Sequence, residues 1–261
     1  MKKLLLILLC LPLIGFGQNW IRTYEGINAE FIKQTNDGGF ILAGNVYTSA
    51  NLVDPHFNIT KIDANGILQW SNNSLEYSAT GDLITENVQQ TFDNGFIILG
   101  DTGKVTKIDD NGILEWSTSI AYSISDAYSI QQTNDSGYIL TASTVSPNNL
   151  TGMAIVLVKI NSNGIQEWDR VFGGQAIQDG KYGFSVKQTN DGGFIIAGNS
   201  SELFPHGQCY LLKTDMYGYE EWSNHYETPY GESFSVAQTT DGGYITCGQI
   251  GTYGISSSSD V

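Results

Sequence analysis

The sequence predicts an all-β chain built as a β-propeller of four-stranded blades, and three observations predict it. Two short motifs alternate along the chain, and each has the form of a β-hairpin. Tryptophans close the pattern at intervals of 50, 46, 52 and 54 residues, from Trp20 through Trp70, Trp116 and Trp168 to Trp222. Composition agrees. Glycine fills 30 of 261 positions and charged side chains only 15%, against about 7% and about 25% in average soluble chains, which is the profile of a turn-rich β protein. Acidic residues outnumber basic ones 27 to 12. A field of that sign repels phosphate backbones and anionic lipid, which argues against nucleic-acid binding and membrane-surface docking.

At the N-terminus, Met1-Lys2-Lys3 precedes an apolar run from Leu4 to Ile14 and the small-residue pattern Gly15-Phe16-Gly17. Residues 1–17 therefore read as a secretory signal peptide cleaved before Gln18. The run is about half of the ~20 residues a spanning helix needs, and no later stretch is longer, so no transmembrane segment is expected. Leu9 precedes Cys10, where lipoprotein processing wants a small residue. The mature chain, 18–261, is expected to be secreted or at the cell surface. Only Cys209 and Cys247 remain in it, too few for a disulfide framework. Two buried thiols are the expectation, with a Cys209–Cys247 bridge as the alternative.

The first motif is Gln34-Thr35-Asn36-Asp37-Gly38-Gly39-Phe40-Ile41, and it returns at Gln90, Gln132, Gln188 and Gln238. Asn and Asp favour turn geometry and Gly supplies positive φ between two β-rich runs, so it reads as a hairpin. The second motif runs from Lys61-Ile62-Asp63-Ala64-Asn65-Gly66 to Trp70 and returns at Lys107, Lys159 and Lys213. It too is a hairpin, with Asn161 in the third unit where the others carry aspartate. Two hairpins make four strands per unit. Units end near Trp20, Trp70, Trp116, Trp168 and Trp222, and Gln238 to Gly248 opens a partial last one. Regular placement makes the tryptophans structural, packing between blades; the alternative is a row of sugar-stacking platforms. About five units form an incomplete ring: either a fragment of a longer protein, the favoured reading, or an open arc with an unprotected edge. Trp20 to Glu25 is placed to supply a fourth strand to the last unit.

The alternation of Gln-Thr-x-Asp-Gly-Gly-Phe/Tyr-Ile with Lys-x-Asp-x-x-Gly-x-x-x-Trp resembles the repeats of secreted propeller proteins common in Bacteroidetes and some archaea. Its second half also resembles the tryptophan-docking repeat of quinoprotein-like propellers. The resemblance spans Trp20 to about Val261. It implies a propeller fold and says little about activity, because the matching residues are turns and packing positions.

Candidate chemistry is sparse. His56, His206 and His225 have no counterparts in the other units and no metal-ligand spacing, so they read as isolated surface histidines. Asp63-Ala64-Asn65-Gly66 and Asp109-Asp110-Asn111-Gly112 lack the ligand alternation and terminal glutamate of a calcium loop. No nucleophile elbow or phosphate loop is present, and no cofactor constellation is legible. Acidic residues near the start of each unit, Glu30, Glu86, Asp126, Asp179 and Glu232, are the candidate metal site, calcium at a channel mouth; solvated rim charges are the default. The variable stretches Asn45 to His56, Asp101 to Lys104, Ser143 to Gly152, Asn199 to Gln208 and Gln249 to Ser259 are candidate recognition loops. The expected function is a non-catalytic, exported module for binding or surface assembly, with a protein or glycan partner. The alternative is a secreted enzyme of quinoprotein-like or glycan-cleaving type with a loop-built site.

Overall fold

A computed structural model of the chain describes residues 21–24, 28–47, 55–73, 88–100, 102–120, 122, 124–145, 152–174, 180–201, 207–226 and 231–251. Every regular element among them is a strand, and the strands form five antiparallel sheets. Sheet one is β1 (Asn28–Gln34), β2 (Phe40–Tyr47), β3 (Pro55–Ile62) and β4 (Leu68–Asn72). Sheet two is β5 (Val88–Gln90), β6 (Phe96–Leu99), β7 (Lys104–Ile108) and β8 (Leu114–Ser119). Sheet three is β9 (Ile124–Gln132), β10 (Tyr138–Val145), β11 (Met153–Ile160) and β12 (Gln166–Gly173). Sheet four is β13 (Lys181–Gln188), β14 (Phe194–Ser200), β15 (Gln208–Thr214) and β16 (Glu220–Tyr226), and sheet five pairs β17 (Gly231–Gln238) with β18 (Tyr244–Ile250). Each four-stranded sheet is an up-and-down meander, as two hairpins in tandem require, and sheet five is a single hairpin. The first strands of successive sheets lie side by side, β9 against β13 and β13 against β17, which puts them at the hub.

Burial follows the two-residue period of a strand covered on both faces. In β6, Phe96 and Ile98 join Ile41, Ala43, Phe57 and Ile59 of sheet one. Ile97 and Leu99 point the other way, to Ala127, Ile130 and Leu140 of sheet three. That is why the strands after each Gln-Thr turn read as unbroken apolar runs. Each fully buried Ile or Leu contributes roughly 1.5–3 kcal/mol, and the contribution accrues interface by interface. A third core cluster joins Ile139, Ile155 and Leu157 to Val186, Phe194 and Tyr210, and a fourth joins Ile195, Ala197 and Leu211 to Val236.

Sheet five corrects one expectation. Ile41, Ile97, Ile139 and Ile195 are at most 1% exposed, but their counterpart Ile245 is 61% exposed. Cys247 is likewise exposed and Cys209 half-buried, and both are free thiols. Cys247 holds the repeat position of Ala43, Leu99, Thr141 and Ala197, from which burial is expected, and the structure exposes it. What differs is that no described strand covers that face of β18. Trp20 and the tail beyond Gly251 lie outside the described residues. Tyr24 donates from its hydroxyl to the Gly66 carbonyl at 2.7 Å, as Asn72 of sheet one donates to Gly112 of sheet two at 2.7 Å.

The glycines of the two turns serve different ends. At the first Gly of the Gln-Thr turn φ is +82° in Gly38, and Asn94 and Ser136 adopt +68° and +66° at the same point, so positive φ there is available to polar residues. The next residue has no such latitude: a Cβ on Gly137 would lie 2.4 Å from Lys159 Nζ and 2.6 Å from the Ile160 carbonyl.

Candidate functional site

The lysine that opens the second motif is buried beneath the first turn. Lys61, Lys107, Lys159 and Lys213 retain 3–6% of side-chain exposure. Lys61 donates to Asp37 at 2.7 Å and to Gln69 at 3.0 Å. In the next three sheets the aspartates are Asp93, Asp135 and Asp191 at 2.9–3.0 Å, and a glutamate, Glu115, Glu167 or Glu221, stands at 2.7–2.9 Å in place of Gln69. Each ammonium also reaches the following carbonyl, as Lys213 does to Thr214 at 2.8 Å. A single cation thus ties both hairpins of its sheet together.

The turn prepares the carboxylate. Thr35 donates to Asp37 at 2.5 Å and the Gly39 N–H at 3.0 Å; the Thr91–Asp93, Thr133–Asp135 and Thr189–Asp191 pairs repeat this. The Lys61 hydrogen bond, followed by that of Thr35, holds the Asp37 carboxyl down at about 2. Asp191 lies at about 2 too, through Thr189 first and Lys213 against the upward push of burial. At Asp93 and Asp135 burial pushes upward and is outweighed by threonine, lysine and backbone donors.

Glutamine completes the turn and links blades. Gln90 donates to its own turn at Asn94 O and accepts the Asn36 N–H of sheet one at 2.8 Å. Gln132, Gln188 and Gln238 accept from Phe92, Asn134 and Asn190 at 2.8–2.9 Å. In the second turn Asp63 accepts the N–H groups of Asn65 and Ile67, both at 2.8 Å. Asn161 accepts the same pair at 2.9 and 3.0 Å, so a carboxamide oxygen serves where the pattern has aspartate.

Between sheets one and two these turns leave a groove of about 560 Å³, lined by Trp70 with Asn36, Asp37, Gln69, Gln90, Asn111 and their neighbours. The equivalent groove between sheets two and three holds about 350 Å³, with Trp116, Glu115, Gln132 and Asn163 in the matching places. Trp70, Trp116 and Trp168 each lie on the next sheet's second turn. Trp70 Nε1 donates to Asp110 O at 2.8 Å, and a Cβ on Gly112 would stand 2.7 Å from its ring. Trp70, Trp116, Trp168 and Trp222 are half-buried, with ring centroids 5.8–5.9 Å from Phe96, Tyr138, Phe194 and Tyr244.

The candidate acids fall in two register positions. Asp126 lies opposite Ser143 and Glu232 opposite Gln249, at equivalent points of β9 and β17. Glu30 falls instead in the bulge of β1, the place that Tyr128, Phe184 and Phe234 hold in later sheets. Glu86 and Asp179 lie outside the described residues. Among the described residues no group of three or more His, Cys, Asp or Glu side chains is arranged to hold a metal ion. His225 is not isolated: half-buried, it meets Ser200 Oγ at 3.0 Å and the Tyr210 ring at 4.9 Å. His206, the side chain of His56 and most of the variable loops lie outside the described residues. Sequence reasoning missed the buried lysines and the glutamine links. The constant eight-residue step from Lys107 to Glu115, Lys159 to Glu167 and Lys213 to Glu221 was the available signal.

The pairs dictate a pH response. Asp37 and Asp191 titrate at about 2 when folded, against 3.8 ordinarily, so their stabilisation is complete above 3.8 and vanishes as pH falls through the folded value. Lys213 is shifted upward, burial opposing while Glu221 and Asp191 prevail; its contribution is complete below 10.5 and is lost as pH rises through the folded value. Thermal melts at fixed ionic strength should show the melting temperature falling below pH ~4 and again above pH ~10.5. A melting temperature that rises between pH 3.8 and 2 would contradict the carboxylate part.

Neither a protein-family model nor a curated protein matches this sequence. Among solved structures it is similar to the quinohemoprotein alcohol dehydrogenase of Comamonas testosteroni, 13% identical over 80% of this chain with a TM-score of 0.55. A protein of unknown function from Dyadobacter fermentans is similar at 10% identity, over 80% of this chain and 71% of that one, also with a TM-score of 0.55. Virginiamycin B lyase of Staphylococcus aureus is similar at 14% identity over 78% of this chain, with a TM-score of 0.50. The chain spans 38% of the length of the dehydrogenase and 58% of that of the lyase. At these identities the likeness concerns the fold: the described sheets are propeller blades. No described helix is long and apolar enough to cross a membrane.

Proposed function

We propose that this chain is an exported, non-catalytic propeller module of the secreted repeat type its motifs resemble, and that it binds glycan in the grooves between blades. The observation that carries this reading is the groove of about 560 Å³ beside Trp70. Its lining combines an indole with the carboxamides of Asn36, Gln69, Gln90, Asn94 and Asn111, the carboxylates of Asp37 and Asp110, and the Lys61 ammonium that Asp37 and Gln69 hold. Carboxamides and carboxylates present paired donors and acceptors to vicinal hydroxyls, and an indole offers the apolar patch of a pyranose its partner. Recurrence of the groove at the next interface supplies a second site of the same kind, so that weak single contacts add as avidity. Asp37, at about 2, is ionised at neutral pH and so offers a hydroxyl an acceptor, not a proton.

A glycan array followed by calorimetry on the best oligosaccharide tests this. Asn111→Ala, an exposed turn residue, is expected to weaken binding about fivefold or more, of the order of one lost hydrogen bond, with an unchanged melting temperature. Absence of any glycan ligand for the folded protein, or binding indifferent to Asn111, removes the reading.

A further inference from the structure

The hub holds a second arrangement, independent of the grooves. The first strands of sheets three, four and five carry a bulge at the point where β1 has Glu30, and the extra residue there is Tyr128 in β9, Phe184 in β13 and Phe234 in β17. A bulge turns its side chain out of the alternating pattern. Here it turns large aromatic rings away from the interblade cores, toward one another. The Tyr128 and Phe184 centroids lie 5.0 Å apart at 89°, those of Phe184 and Phe234 5.6 Å apart, and Tyr182 stacks on Phe184 at 6.1 Å and 16°. Three successive blades thus join a continuous aromatic wall. The wall is not closed over: Tyr128, Tyr182 and Phe184 are half-buried and Phe234 is 46% exposed.

Carboxylates rim it. Asp126 and Glu232 occupy the register position that Tyr182 holds on β13. Burial, with the negative charge of Asp126 adding to it, pushes the Tyr128 hydroxyl up to about 12 against the effect of Ser143, so it stays neutral. Gln249 donates to Glu232 at 2.6 Å and leaves its charge in place. Lys33 and Lys187 lie three residues beyond the bulge position on β1 and β13, about 10 Å toward the Gln-Thr turns. Lys33 and Lys187 thus lie toward the opposite end of the hub from Asp126 and Glu232, while Lys181, beside Tyr182 in the chain, lies over the Tyr210 ring. Among the described residues no cation covers the faces of these four rings; Arg170 lies over Trp168 and Tyr219, and Lys181 over Tyr210.

We propose that this end of the hub is a binding site for a small organic ammonium ion, seated on the faces of Tyr128, Phe184 and Phe234 with Asp126 and Glu232 as its counter-charges. Aromatic faces attract a weakly hydrated cation through their quadrupole, and nearby carboxylates add charge without having to coordinate it. The net charge of −15 favours a cation's approach. A metal ion is the poorer match: among the described residues no three His, Cys, Asp or Glu side chains are arranged to hold one.

The probe is choline, compared with its neutral carbon isostere 3,3-dimethylbutan-1-ol, by calorimetry or ligand-observed NMR on the full chain. Choline is expected to bind saturably and about 3- to 30-fold more tightly than the alcohol. Asp126→Asn with Glu232→Gln, which preserve volume, should weaken choline at least about threefold with no change in far-ultraviolet circular dichroism. Phe184→Leu should do the same while keeping an apolar side chain at the bulge. Equal binding of choline and the alcohol, no choline binding to the folded chain, or displacement of choline by calcium would each overturn the proposal. None of these outcomes bears on glycan in the grooves, which lie at the turn end.

Discussion

Trp116→Ala is expected to lower the stability of the chain by about 3–5 kcal/mol. The ring lies between sheets two and three. It packs on the cluster of Ile97, Leu99, Val105, Tyr138 and Val158, lies edge-on to Tyr138 at 5.9 Å, and presses on Gly164 so closely that a Cβ there would be 2.6 Å away. Because blades meet only their neighbours, the loss cannot be shared around the fold. For a chain of this length it amounts to a fall in melting temperature of roughly 6–20 °C. Denaturant melts should also broaden, since sheets one and two become less coupled to the rest. Trp116→Phe should recover about half the loss. Gly164 offers an internal check. Gly164→Ala forces a side chain onto Trp116 and into a φ of +77°, so it should cost less in the Trp116→Ala background than in the native chain, by the clash and not by the strain. Additive effects of the two changes, or a cost for Trp116→Ala under about 1 kcal/mol, would mean that the indole decorates the interface without holding it.

What could be read from the sequence was what repeats with a local cause. Turn glycines, alternating strands and a closing tryptophan each obey a rule that needs no tertiary information, so the hairpins at Gln34, Gln90, Gln132, Gln188 and Gln238 fall where the motifs place them. The hidden part is what two distant segments make together. Lys159 looks like one more polar residue at the end of a strand until β11 is laid beside β10, which brings Asp135 under its ammonium. The bulge is equally silent, because an extra residue opposite Ala142 or Gly198 is visible only in the pairing. That is also why Glu30 and Asp126 looked like members of one set although they occupy different positions. Cys247 fails for a third reason: its repeat position is that of a core residue, but coverage depends on what lies against β18.

Lys159→Ala should be the second most damaging single change, at about 2–4 kcal/mol. Removing one member of a buried ion pair ordinarily costs ~3–5 kcal/mol, because the survivor is left charged and dry. Here Asp135 and Glu167 keep 60% and 43% of their side-chain exposure and can take up water, which moves the expectation toward the lower end. The remainder is a cavity under the turn and the lost hydrogen bond to the Ile160 carbonyl, 3.3 Å from the native ammonium. Lys159→Met separates these parts, since it refills the stem and leaves both carboxylates unpaired. It should recover 1–2 kcal/mol of the loss, of the order of two buried methylenes. The informative variant joins Lys159→Met to Asp135→Asn and Glu167→Gln. Asparagine keeps an oxygen for Thr133 and the Gly137 N–H, as Asn161 does for the second turn, while no charge is left to neutralise. If the native triad serves mainly to fix how the two hairpins meet, this neutral version should melt within about 1 kcal/mol of the native chain, as uncharged replacements of buried pairs often do. A loss as large as that of Lys159→Ala would instead show that the ammonium itself, held by three acceptors, supplies the stability.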